Sequence, residues 1–257
     1  MIFGKDYAKS YDAFYQLKDY AGEAAFVCER LRRVAGESSL NVLDVGCGTG
    51  LHDVEFVAAG HEVLGIDRST QMLARAAERR GALPTGLQQR LEFQPGDART
   101  LRIGRTFDAV VSLFHVMSYM AGDGDFDASL KTARLHLNSG GAFLFDFWYG
   151  PAVLADPPQR RERTIEDAGF RTRRLTVPYH DLSRDIVRIV FDVEETNVAT
   201  SKINKTSEEH VMRYFFEEGL RESLSNASFE IVEIAEWSTG RPPTASSFGV
   251  YVLAKAI

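Results

Sequence analysis

The sequence predicts an α/β protein with a doubly wound, mostly parallel sheet, helices on both of its faces, and an antiparallel β-sheet inserted late in the chain. Residues 42–50 (VLDVGCGTG) join an apolar run to a glycine-rich turn, which is typical of a buried parallel strand that turns sharply into a helix. Strand-like and helix-like segments then alternate with short connections up to residue 147, which indicates parallel strands covered by helices. After Trp148 three β-rich segments follow without a long helix between them, which indicates antiparallel pairing.

The alternating half contains five predicted strands and four predicted helices. Gly60 ends the second helix, and Ser69 is placed to cap the third, because a serine hydroxyl can accept from the free amides of a first turn. Residues 138–141 (NSGG) are expected to end the fourth helix. The predicted strands are 40–45, 62–66, 91–94, 107–114 and 142–147, and the predicted helices are 21–35, 51–59, 69–80 and 125–137.

The later half begins with residues 151–163, where three prolines and several arginines predict a loop. We expect a single domain over residues 1–257, with an N-terminal lid and helix at 1–35 and a β-rich subdomain at 150–216 that covers the open side of a ligand site. The predicted later elements are strands at 170–179, 186–197 and 208–216, a helix at 217–227, and strands at 229–237 and 248–256.

Composition narrows the class of protein. The net charge is −6, with 26% charged residues, which argues against a general role on nucleic acid or on a membrane surface. Apolar runs stay shorter than the roughly 18 residues that a membrane span needs, and residues 1–20 do not have the pattern of a signal peptide. Only Cys28 and Cys47 are cysteines, which predicts a reducing cytoplasm. Histidines and cysteines show no metal-ligand spacing, so no metal is expected.

The spacing of the glycines indicates the kind of ligand. Gly46, Gly48 and Gly50 form the pattern G-x-G-x-G, whereas a dinucleotide fingerprint would need a glycine at Leu51. No lysine follows to grip a phosphate. The full string, after a strand and before a helix, resembles the first motif of class I S-adenosylmethionine-dependent methyltransferases. That resemblance implies the Rossmann-like fold of this class, S-adenosyl-L-methionine as the cofactor, and methyl transfer as the activity.

A narrower resemblance is carried by residues 96–107 (GDARTLRIGRTF), 110–114 (VVSLF), 11–12 (YD) and 18–20 (KDY), together with the β-rich insertion. These features resemble nucleotide-aminosugar N-methyltransferases, which methylate an amino group on a deoxysugar attached to a nucleoside diphosphate. The resemblance implies a small-molecule acceptor, with a nucleotide sugar as the leading candidate. It leaves a homodimer open as the assembly.

Two carboxylates follow the second and third predicted strands. Asp67 can accept hydrogen bonds from the ribose hydroxyls, or it can serve as an acid at a helix N-terminus. Asp97 can accept from the adenine amino group, or it can be an ordinary turn aspartate. By the resemblance, Tyr11 and Tyr20 close over the cofactor, where ring faces attract the sulfonium cation. The predicted cofactor-binding residues are Tyr11, Tyr20, Gly46, Cys47, Gly48, Asp67, Arg68, Asp97, Ala98 and Leu113.

The predicted catalytic residues, His115 and Tyr119, follow the fourth strand, beside the expected position of the methyl group. His115 can act as a general base for an oxygen acceptor, or it can simply pack or hydrogen-bond. Tyr119 can orient an amine, whose methylation depends mainly on alignment of the nitrogen lone pair with the methyl carbon. Trp148 and Tyr149 follow the fifth strand and either line the acceptor pocket or belong to the core.

Three polar residues of the later half complete the predicted acceptor site: His210, Arg213 and Arg241. Arginine binds phosphate oxygens in a bidentate way, and Arg241, in a Gly-Arg-Pro-Pro loop, is the first candidate to bind a diphosphate or a carboxylate. Both arginines can instead be solvated surface charges.

Three functions are consistent with the sequence. The favoured one is methylation of an amine on a nucleotide-linked amino sugar. An O-methyltransferase acting on a hydroxyl or carboxylate, with His115 as the base, is the second, since residues 115–117 (HVM) and the longer tail at 240–247 depart from the aminosugar pattern. A protein that binds S-adenosylmethionine without catalysis is the third.

Overall fold

The computed structural model of the protein describes residues 12, 14–15, 17–36, 38–167 and 169–257. Within this part of the chain, eleven strands form one continuous sheet. The strands are β1 (Asn41–Val45), β2 (Glu62–Asp67), β3 (Leu91–Pro95), β4 (Phe107–Ser112), β5 (Leu137–Tyr149), β6 (Arg161–Asp167), β7 (Phe170–Asp181), β8 (Ile186–Asn197), β9 (Ile203–Phe215), β10 (Phe229–Glu236) and β11 (Gly249–Ala256). The helices are α1 (Tyr20–Ala35), α2 (Leu51–Ala58), α3 (Thr70–Gly81), α4 (Thr85–Gln88), α5 (Asp125–Leu135), α6 (Gly150–Ala155) and α7 (Glu217–Asn226), with a short 3-10 helix at Val116–Tyr119.

Five parallel strands form the first part of the sheet in the order β3-β2-β1-β4-β5. The strand order reverses between β1 and β4, which pair in parallel. In such sheets, ligands bind in the crevice outside the carboxyl ends of the strands at the reversal. β11 pairs antiparallel with β5, and β10 with β11. The predicted doubly wound, mostly parallel sheet is therefore confirmed.

Apolar side chains on both faces of these strands hold the helices in two layers. On one face, Leu31 of α1 and Phe56 of α2 belong to a buried cluster with strand residues. On the other face, Leu130 of α5 and Leu224 of α7 belong to a second cluster. Strands covered on both faces are apolar throughout rather than alternating, which explains the VLDV run of β1.

Capping chemistry in the sequence sets two helix boundaries near the crevice. The Asp19 carboxylate accepts from the Gly22 amide at 2.9 Å and begins α1. The Ser69 hydroxyl accepts from the Met72 amide at 3.2 Å and caps α3, as the sequence predicts. α3 thus begins directly after β2, at the edge of the crevice.

The inserted sheet has the order β9-β8-β7-β6, and each neighbouring pair is antiparallel, as predicted. It joins the main sheet where β9 pairs in parallel with the end of β5, Trp148 with Tyr214 and Tyr149 with Phe215. The insertion therefore continues the main sheet at the carboxyl end of β5, next to the crevice.

Two boundary predictions are wrong in the first half of the chain. β4 ends at Ser112 rather than Phe114, because Phe114 and His115 have positive φ angles of 64° and 63°, outside the conformation of a strand. Residues 138–141 do not end a helix but belong to β5. A Cβ on Gly141 would lie 3.0 Å from the Asp108 carbonyl oxygen, so the glycine allows β5 to approach β4 closely.

Other segments have a different secondary structure from the one that the sequence predicts. The predicted loop 151–163 contains most of α6 and the start of β6; Pro151 lies in the first turn of α6, where its missing amide costs no hydrogen bond. The charged sequence of β6 does not predict a strand. In the structure its Glu162 carboxylate accepts a hydrogen bond from Arg173 of β7 at 2.7 Å. β9 begins at Ile203 rather than 208. The one-turn helix α4 has no counterpart among the predicted elements.

Candidate functional site

A cavity of about 1300 Å³ opens at the carboxyl ends of β1, β2 and β4 and extends along the inserted sheet. Single-ligand pockets are typically about 300–1,000 Å³, so this cavity has room for two ligands. At one end it is lined by residues of the glycine turn and of the β2–α3 junction, and at the other end by residues of β6, β7, β8 and β9. The segment 113–122 lies between the two ends and also lines the cavity at most of its positions.

The glycine turn is held rigidly at the first end. The amides of Gly46 and Cys47 both donate to the Ile66 carbonyl, at 2.7 and 3.0 Å, which ties the turn to β2. Gly46 has a φ of 91°, and a Cβ there would lie 2.6 Å from the side chain of Val116. Only glycine combines that backbone with such close packing. Gly46, Cys47 and Gly48, which the sequence predicts to bind the cofactor, all line the cavity.

Asp67 joins this turn to the second strand. Its Oδ2 accepts from the Gly48 amide at 2.9 Å, and its Oδ1 accepts from the Ser69 amide at 2.7 Å. Burial raises the pKa of the Asp67 carboxyl, while these backbone donors act in the opposite direction. A carboxylate oxygen can accept more than one hydrogen bond, so Asp67, which lines the cavity, keeps acceptor capacity for a diol.

Asp97 differs from the sequence-based expectation. Arg99 binds its carboxylate through two nitrogens, Nε to Oδ1 at 2.9 Å and Nη2 to Oδ2 at 2.6 Å, and Arg68 Nε lies 3.3 Å from Oδ2. Hydrogen bonding to Arg99 holds the pKa of Asp97 at about 2. Gly96 and Ala98 line the cavity, and Asp97 is not among the lining residues. Arg99 thus occupies the carboxylate that was expected to bind adenine, and the motif spacing does not predict this ion pair.

Two further carboxyl groups lie behind the glycine turn. Asp44, 2% exposed, and Asp53, fully buried, have Oδ atoms without a hydrogen-bond partner in the described part of the chain. Burial raises the pKa of both carboxyls, that of Asp53 to about 7. Nearby carboxylates raise the pKa of Asp44 further, whereas for Asp53 the charge of Asp67 raises the pKa and Asp44 lowers it. Asp44 lines the cavity. Sequence reasoning missed Asp53, which looks like an ordinary acid in the first turn of α2.

Aromatic rings of the N-terminal segment cover this end. Tyr20 lines the cavity and contacts His52 edge-on at 4.9 Å, and Tyr15 lines it beside Phe114 at 4.9 Å. Burial and nearby acids raise the pKa of Tyr20 far above its usual range, so its hydroxyl stays protonated. Tyr11, predicted with Tyr20 to close over the cofactor, lies outside the described residues.

Several polar contacts anchor the same segment. Asp12 accepts from the Thr49 hydroxyl at 2.8 Å and from Arg75 at 3.0 Å. His52 lies 2.8 Å from Glu23. These contacts fix the segment on α2 and α3, directly over the glycine turn.

His115 lies at the middle of the cavity in a left-handed backbone conformation. Its amide donates to Asp146 Oδ1 at 3.0 Å, and its Nδ1 lies 2.8 Å from Oδ2 of the same carboxylate. The Asp146 side chain is 3% exposed. The buried carboxylate fixes the backbone at His115 through the amide, whereas Nδ1 is close to it without the geometry of a hydrogen bond among the described residues. The imidazole ring faces Trp148 edge-on at 6.4 Å. Asp146 is a functional candidate that the sequence analysis did not single out.

Of the other residues predicted near the reacting groups, two line the cavity and one is buried in the core. Tyr119 and Trp148 line the cavity, and the Tyr119 hydroxyl is hydrogen-bonded to His210 Nδ1 at 2.8 Å. Tyr149 is buried in the core instead, where its hydroxyl donates to Glu217 at 3.3 Å. Successive side chains of a strand point to opposite faces, so Trp148 and Tyr149 cannot both face the acceptor. Leu113 and Arg68 line the cavity, as predicted.

The arginines predicted to bind an anion are not the ones that the fold brings to the cavity. Arg213 follows the lining residue Met212 on β9 and is not itself among the lining residues, and Arg241 is exposed in the loop after β10. Arg161 and Arg184 line the cavity instead. Arg161 pairs across the strands with Thr176, which also lines it. The arginine run before β6 was the available signal, but it was interpreted as a loop.

A third arginine of the inserted sheet is buried close to the cavity. Arg174 is 4% exposed, and its guanidinium lies over Phe14 at 4.2 Å and over Phe191 at 5.1 Å. Its Nε and Nη1 have no hydrogen-bond partner in the part of the chain that the structure describes. Three arginines therefore lie at or near the second end of the cavity, Arg161 and Arg184 in its lining and Arg174 behind it.

The described residues contain no group of His, Cys, Asp and Glu side chains arranged to hold a metal ion. No helix among them is long and apolar enough to cross a membrane.

Comparison with known proteins gives a family match and curated relatives. Residues 42–141 match a family model described as a methyltransferase domain. The chain is 35% identical over 157 residues to dTDP-3-amino-3,4,6-trideoxy-alpha-D-glucopyranose N,N-dimethyltransferase of Streptomyces venezuelae, an alignment that covers 60% of this chain and 62% of the relative. It is 30% identical over 176 residues to dTDP-3-amino-3,6-dideoxy-alpha-D-glucopyranose N,N-dimethyltransferase of Streptomyces fradiae, covering 68% of this chain and 65% of the relative. The chain thus spans less than two thirds of the length of each.

Solved structures share the whole fold. DesVI of Streptomyces venezuelae superposes with a TM-score of 0.80 at 24% identity, covering 99% of this chain and 100% of the other. An S-adenosylmethionine-bound amino pentose methyltransferase of Micromonospora echinaspora gives a TM-score of 0.74 at 24% identity, covering 100% and 99%. At this identity the likeness establishes the fold.

Residues 42–141 thus match a methyltransferase domain, and the whole chain has the fold of the class I S-adenosylmethionine-dependent methyltransferases. Within that class its curated relatives include dTDP-amino-sugar N,N-dimethyltransferases. The resemblance predicted from the motifs is confirmed at both levels.

Proposed function

We propose that this protein transfers the methyl group of S-adenosylmethionine to the amino group of a sugar that is linked to a nucleoside diphosphate. The observation that carries the proposal is one continuous cavity whose first end combines a glycine turn with buried carboxyl groups, and whose second end is lined by arginines. A cationic cofactor and an anionic acceptor fit opposite ends of such a cavity.

The first end provides what the cofactor requires. S-adenosylmethionine supplies an electrophilic methyl group on a sulfonium cation and carries no phosphate. Asp67 offers hydrogen-bond acceptors for the ribose diol, and Asp44 provides negative charge nearby once it is ionised. The rings of Tyr15 and Tyr20 border the same space, where aromatic faces stabilise cations and exclude water.

The second end supports a phosphorylated acceptor. Arg161 and Arg184 line it, and among the described residues the acid paired with Arg184 is the exposed Asp123, at 3.9 Å. The wall between these arginines and the centre is apolar, and it includes Ile189 and Met212. Apolar walls bind the deoxygenated face of a sugar, whereas arginines bind phosphate oxygens.

Amine methylation needs alignment more than proton transfer, because a neutral amine attacks with its lone pair. His115, held by Asp146, and Tyr119, held by His210, border the centre of the cavity and can orient that amine. The buried Asp146–His115 pair also suits a general base. This specific observation supports methylation of a hydroxyl as the second candidate function.

We extend the proposal to the regions of the chain. The N-terminal residues 1–35 act as a lid over the cofactor, and residues 150–216 govern the acceptor. The protein acts on a small molecule and not on nucleic acid, in the cytoplasm, with a homodimer as its expected assembly.

Product analysis tests the function directly. The protein is incubated with S-adenosylmethionine and matched pairs of thymidine-diphosphate sugars that differ only in carrying an amino or a hydroxyl group. Mass spectrometry then counts the methyl groups and NMR locates them. We expect N-methylated sugar from the amino member alone. Methyl on oxygen would establish the second candidate, and cofactor binding without any turnover would indicate a binding protein.

A further inference from the structure

A line of three polar side chains connects the wall of the cavity to the inserted sheet. The Tyr119 hydroxyl lies 2.8 Å from His210 Nδ1, and His210 Nε2 lies 3.3 Å from Glu208 Oε2. Tyr119 and His210 both line the cavity. The His210 side chain is 1% exposed and that of Glu208 is 9% exposed. A polar chain of this kind, shielded from solvent, is costly unless its members are matched to one another.

The strands hold the imidazole in one orientation. His210 and Glu208 are two positions apart on β9, so they lie on the same face of the sheet, and on β8 they pair with Ile189 and Phe191. The Phe191 ring packs edge-on against His210 at 4.8 Å. Packing on this side and the hydrogen bond to Tyr119 on the other direct Nδ1 to the tyrosine and Nε2 to the glutamate.

This arrangement fixes the protons of the chain. The Glu208 carboxylate can only accept, so His210 carries its proton on Nε2 and donates it to Glu208. Nδ1 is then an acceptor for the Tyr119 O–H group. The carboxylate also stabilises the imidazolium that would form if Nδ1 received a proton.

On the basis of the proposed function, we propose that Tyr119, His210 and Glu208 form a proton relay that returns the methylated amine to its neutral form inside the cavity. When nitrogen forms its bond to the methyl carbon, the carbon–sulfur bond breaks and its electron pair stays on sulfur. The nitrogen is left positively charged with one proton too many. That proton passes to the Tyr119 oxygen while the tyrosine's own proton passes to His210 Nδ1.

The relay has a defined consequence for the number of methyl groups. A secondary ammonium ion has no lone pair and cannot accept a second methyl group, whereas the neutral secondary amine can. The first transfer to an amine that enters neutral does not need the relay, but a second transfer to a monomethyl product that stays bound does. Tyr119 touches the acceptor and is a catalytic residue, and His210 and Glu208 act through it as positioning residues.

The test separates the two transfers. Wild type, Tyr119→Phe, His210→Ala and Glu208→Gln are given a primary amino sugar nucleotide at a pH above the pKa of the sugar's own amine, and monomethyl and dimethyl products are quantified over time. In the variants we expect the first transfer to change less than about threefold and the second to fall about a hundredfold, the low end for loss of a general base. Added imidazole should restore the second transfer in His210→Ala.

A matched control lies next to the relay in sequence. Glu209 lies on the opposite face of β9, half exposed and paired with Arg188 at 2.9 Å, and Glu209→Gln should leave both transfers unchanged. Tyr119→Phe removes a single oxygen from the cavity wall, so it tests the relay even if His210→Ala does not fold.

Two results would overturn the relay. In one, the variants lower both transfers equally at every pH and imidazole has no effect, which would mean that the three side chains only pack. In the other, the wild type stops at the monomethyl product, which would leave the proposed function standing without a relay. Absence of any methylated amine from the wild type would instead reject the proposed function itself.

Discussion

The two ends of the cavity contain different ionisable groups and are built in different ways. The first end has three buried or half-buried carboxyl groups, those of Asp44, Asp53 and Asp67, around a turn whose backbone amides are fixed by β2. The second end has the guanidinium groups of Arg161 and Arg184, which project from an antiparallel sheet and its connecting turn. Under the proposed function, the cationic cofactor binds at the first end, the anionic part of the acceptor binds at the second end, and the reacting groups meet at the centre.

The difference in construction also indicates at which end single substitutions can change the ligand that is bound. Backbone amides and strand ends position the first end, so its geometry follows from the fold. Side chains on an inserted sheet define the second end, so single substitutions can alter what it binds. Fold and acceptor specificity are separable for this reason.

The largest effect is expected at the first end, from Asp67→Ala. The variant removes hydrogen-bond acceptors for the ribose and leaves the Gly48 and Ser69 amides without their partner. Hydrogen bonds to charged groups contribute about 1.5–3 kcal/mol, so S-adenosylmethionine should bind roughly tenfold to 150-fold more weakly in calorimetry.

Asp97→Ala is the matched control for that variant. Because Arg99 already occupies the Asp97 carboxylate, we expect cofactor affinity to change less than about threefold, well under the loss of one charged hydrogen bond. If the two variants weaken binding equally, Asp97 contacts the adenine as the sequence predicts, and the structure-based ranking of the two carboxylates is wrong.

At the second end, the double variant Arg161→Ala/Arg184→Ala should affect the acceptor alone. Partly exposed charges contribute up to about 1 kcal/mol each, so KM for a nucleotide-linked amino sugar should rise about tenfold to thirtyfold while cofactor affinity stays constant. Arg171→Ala removes an exposed arginine of the same sheet that pairs with Glu166, and it should leave KM unchanged. An unchanged KM in the double variant would remove these arginines from the acceptor site.

At the centre, His115→Ala distinguishes amine from oxygen as the acceptor atom. For an amine, positioning carries most of the rate, and kcat should fall less than about tenfold. For a hydroxyl, loss of the base should cost about 10²–10⁴-fold. Steady-state kinetics at saturating acceptor, in a variant shown to bind cofactor normally, separates these cases. A thousandfold loss would promote the O-methyltransferase function.

The smallest effect concerns stability. Burial raises the pKa of Asp53 to about 7, so the folded protein holds a proton that the unfolded chain releases near its ordinary carboxyl range. The resulting stabilisation is complete at low pH and is lost as the pH rises toward 7. Asp53→Asn should reduce this dependence and leave the share that comes from Asp44, whose pKa is also raised. The Asp53 share should correspond to about a few degrees in Tm between pH 5.5 and pH 8.

Calorimetric melts across that pH range measure the difference. Glu78→Gln, on the exposed side of α3, should leave the pH dependence of Tm as it is in the wild type. If the Asp53→Asn profile also follows the wild type, Asp53 is ionised in the folded protein throughout.

The sequence predicts the first end of the cavity well because its geometry comes from local pattern. Strand, glycine turn, Ser69 cap and Asp67 follow one another along the chain, and all lie as expected. Asp53 escaped notice because its burial depends on helix α2 packing onto the sheet, which periodicity does not measure for a charged residue.

The second end was predicted as an antiparallel insertion, and the structure places Trp148 and His210 in the cavity lining but not Tyr149, Arg213 or Arg241. Side-chain direction on a strand changes with every residue, so a one-residue uncertainty in register exchanges cavity for exterior. Arg213 and Tyr149, each next to a lining residue, do not line the cavity themselves. Arg161, which does line it, lies in a segment that was interpreted as a loop. Arg174 could not be found from sequence, because an arginine in a charged strand is ordinarily exposed.

The central claim is that the two ligands occupy opposite ends of one cavity at the same time. The most direct test is calorimetric titration of thymidine diphosphate into the protein saturated with the demethylated cofactor, and into the protein alone. We expect thymidine diphosphate to bind in both titrations with similar affinity, and to bind the Arg161→Ala/Arg184→Ala variant at least several-fold more weakly. Competition, in which the saturated protein no longer binds the nucleotide, would show that both ligands use the same end and would contradict the account.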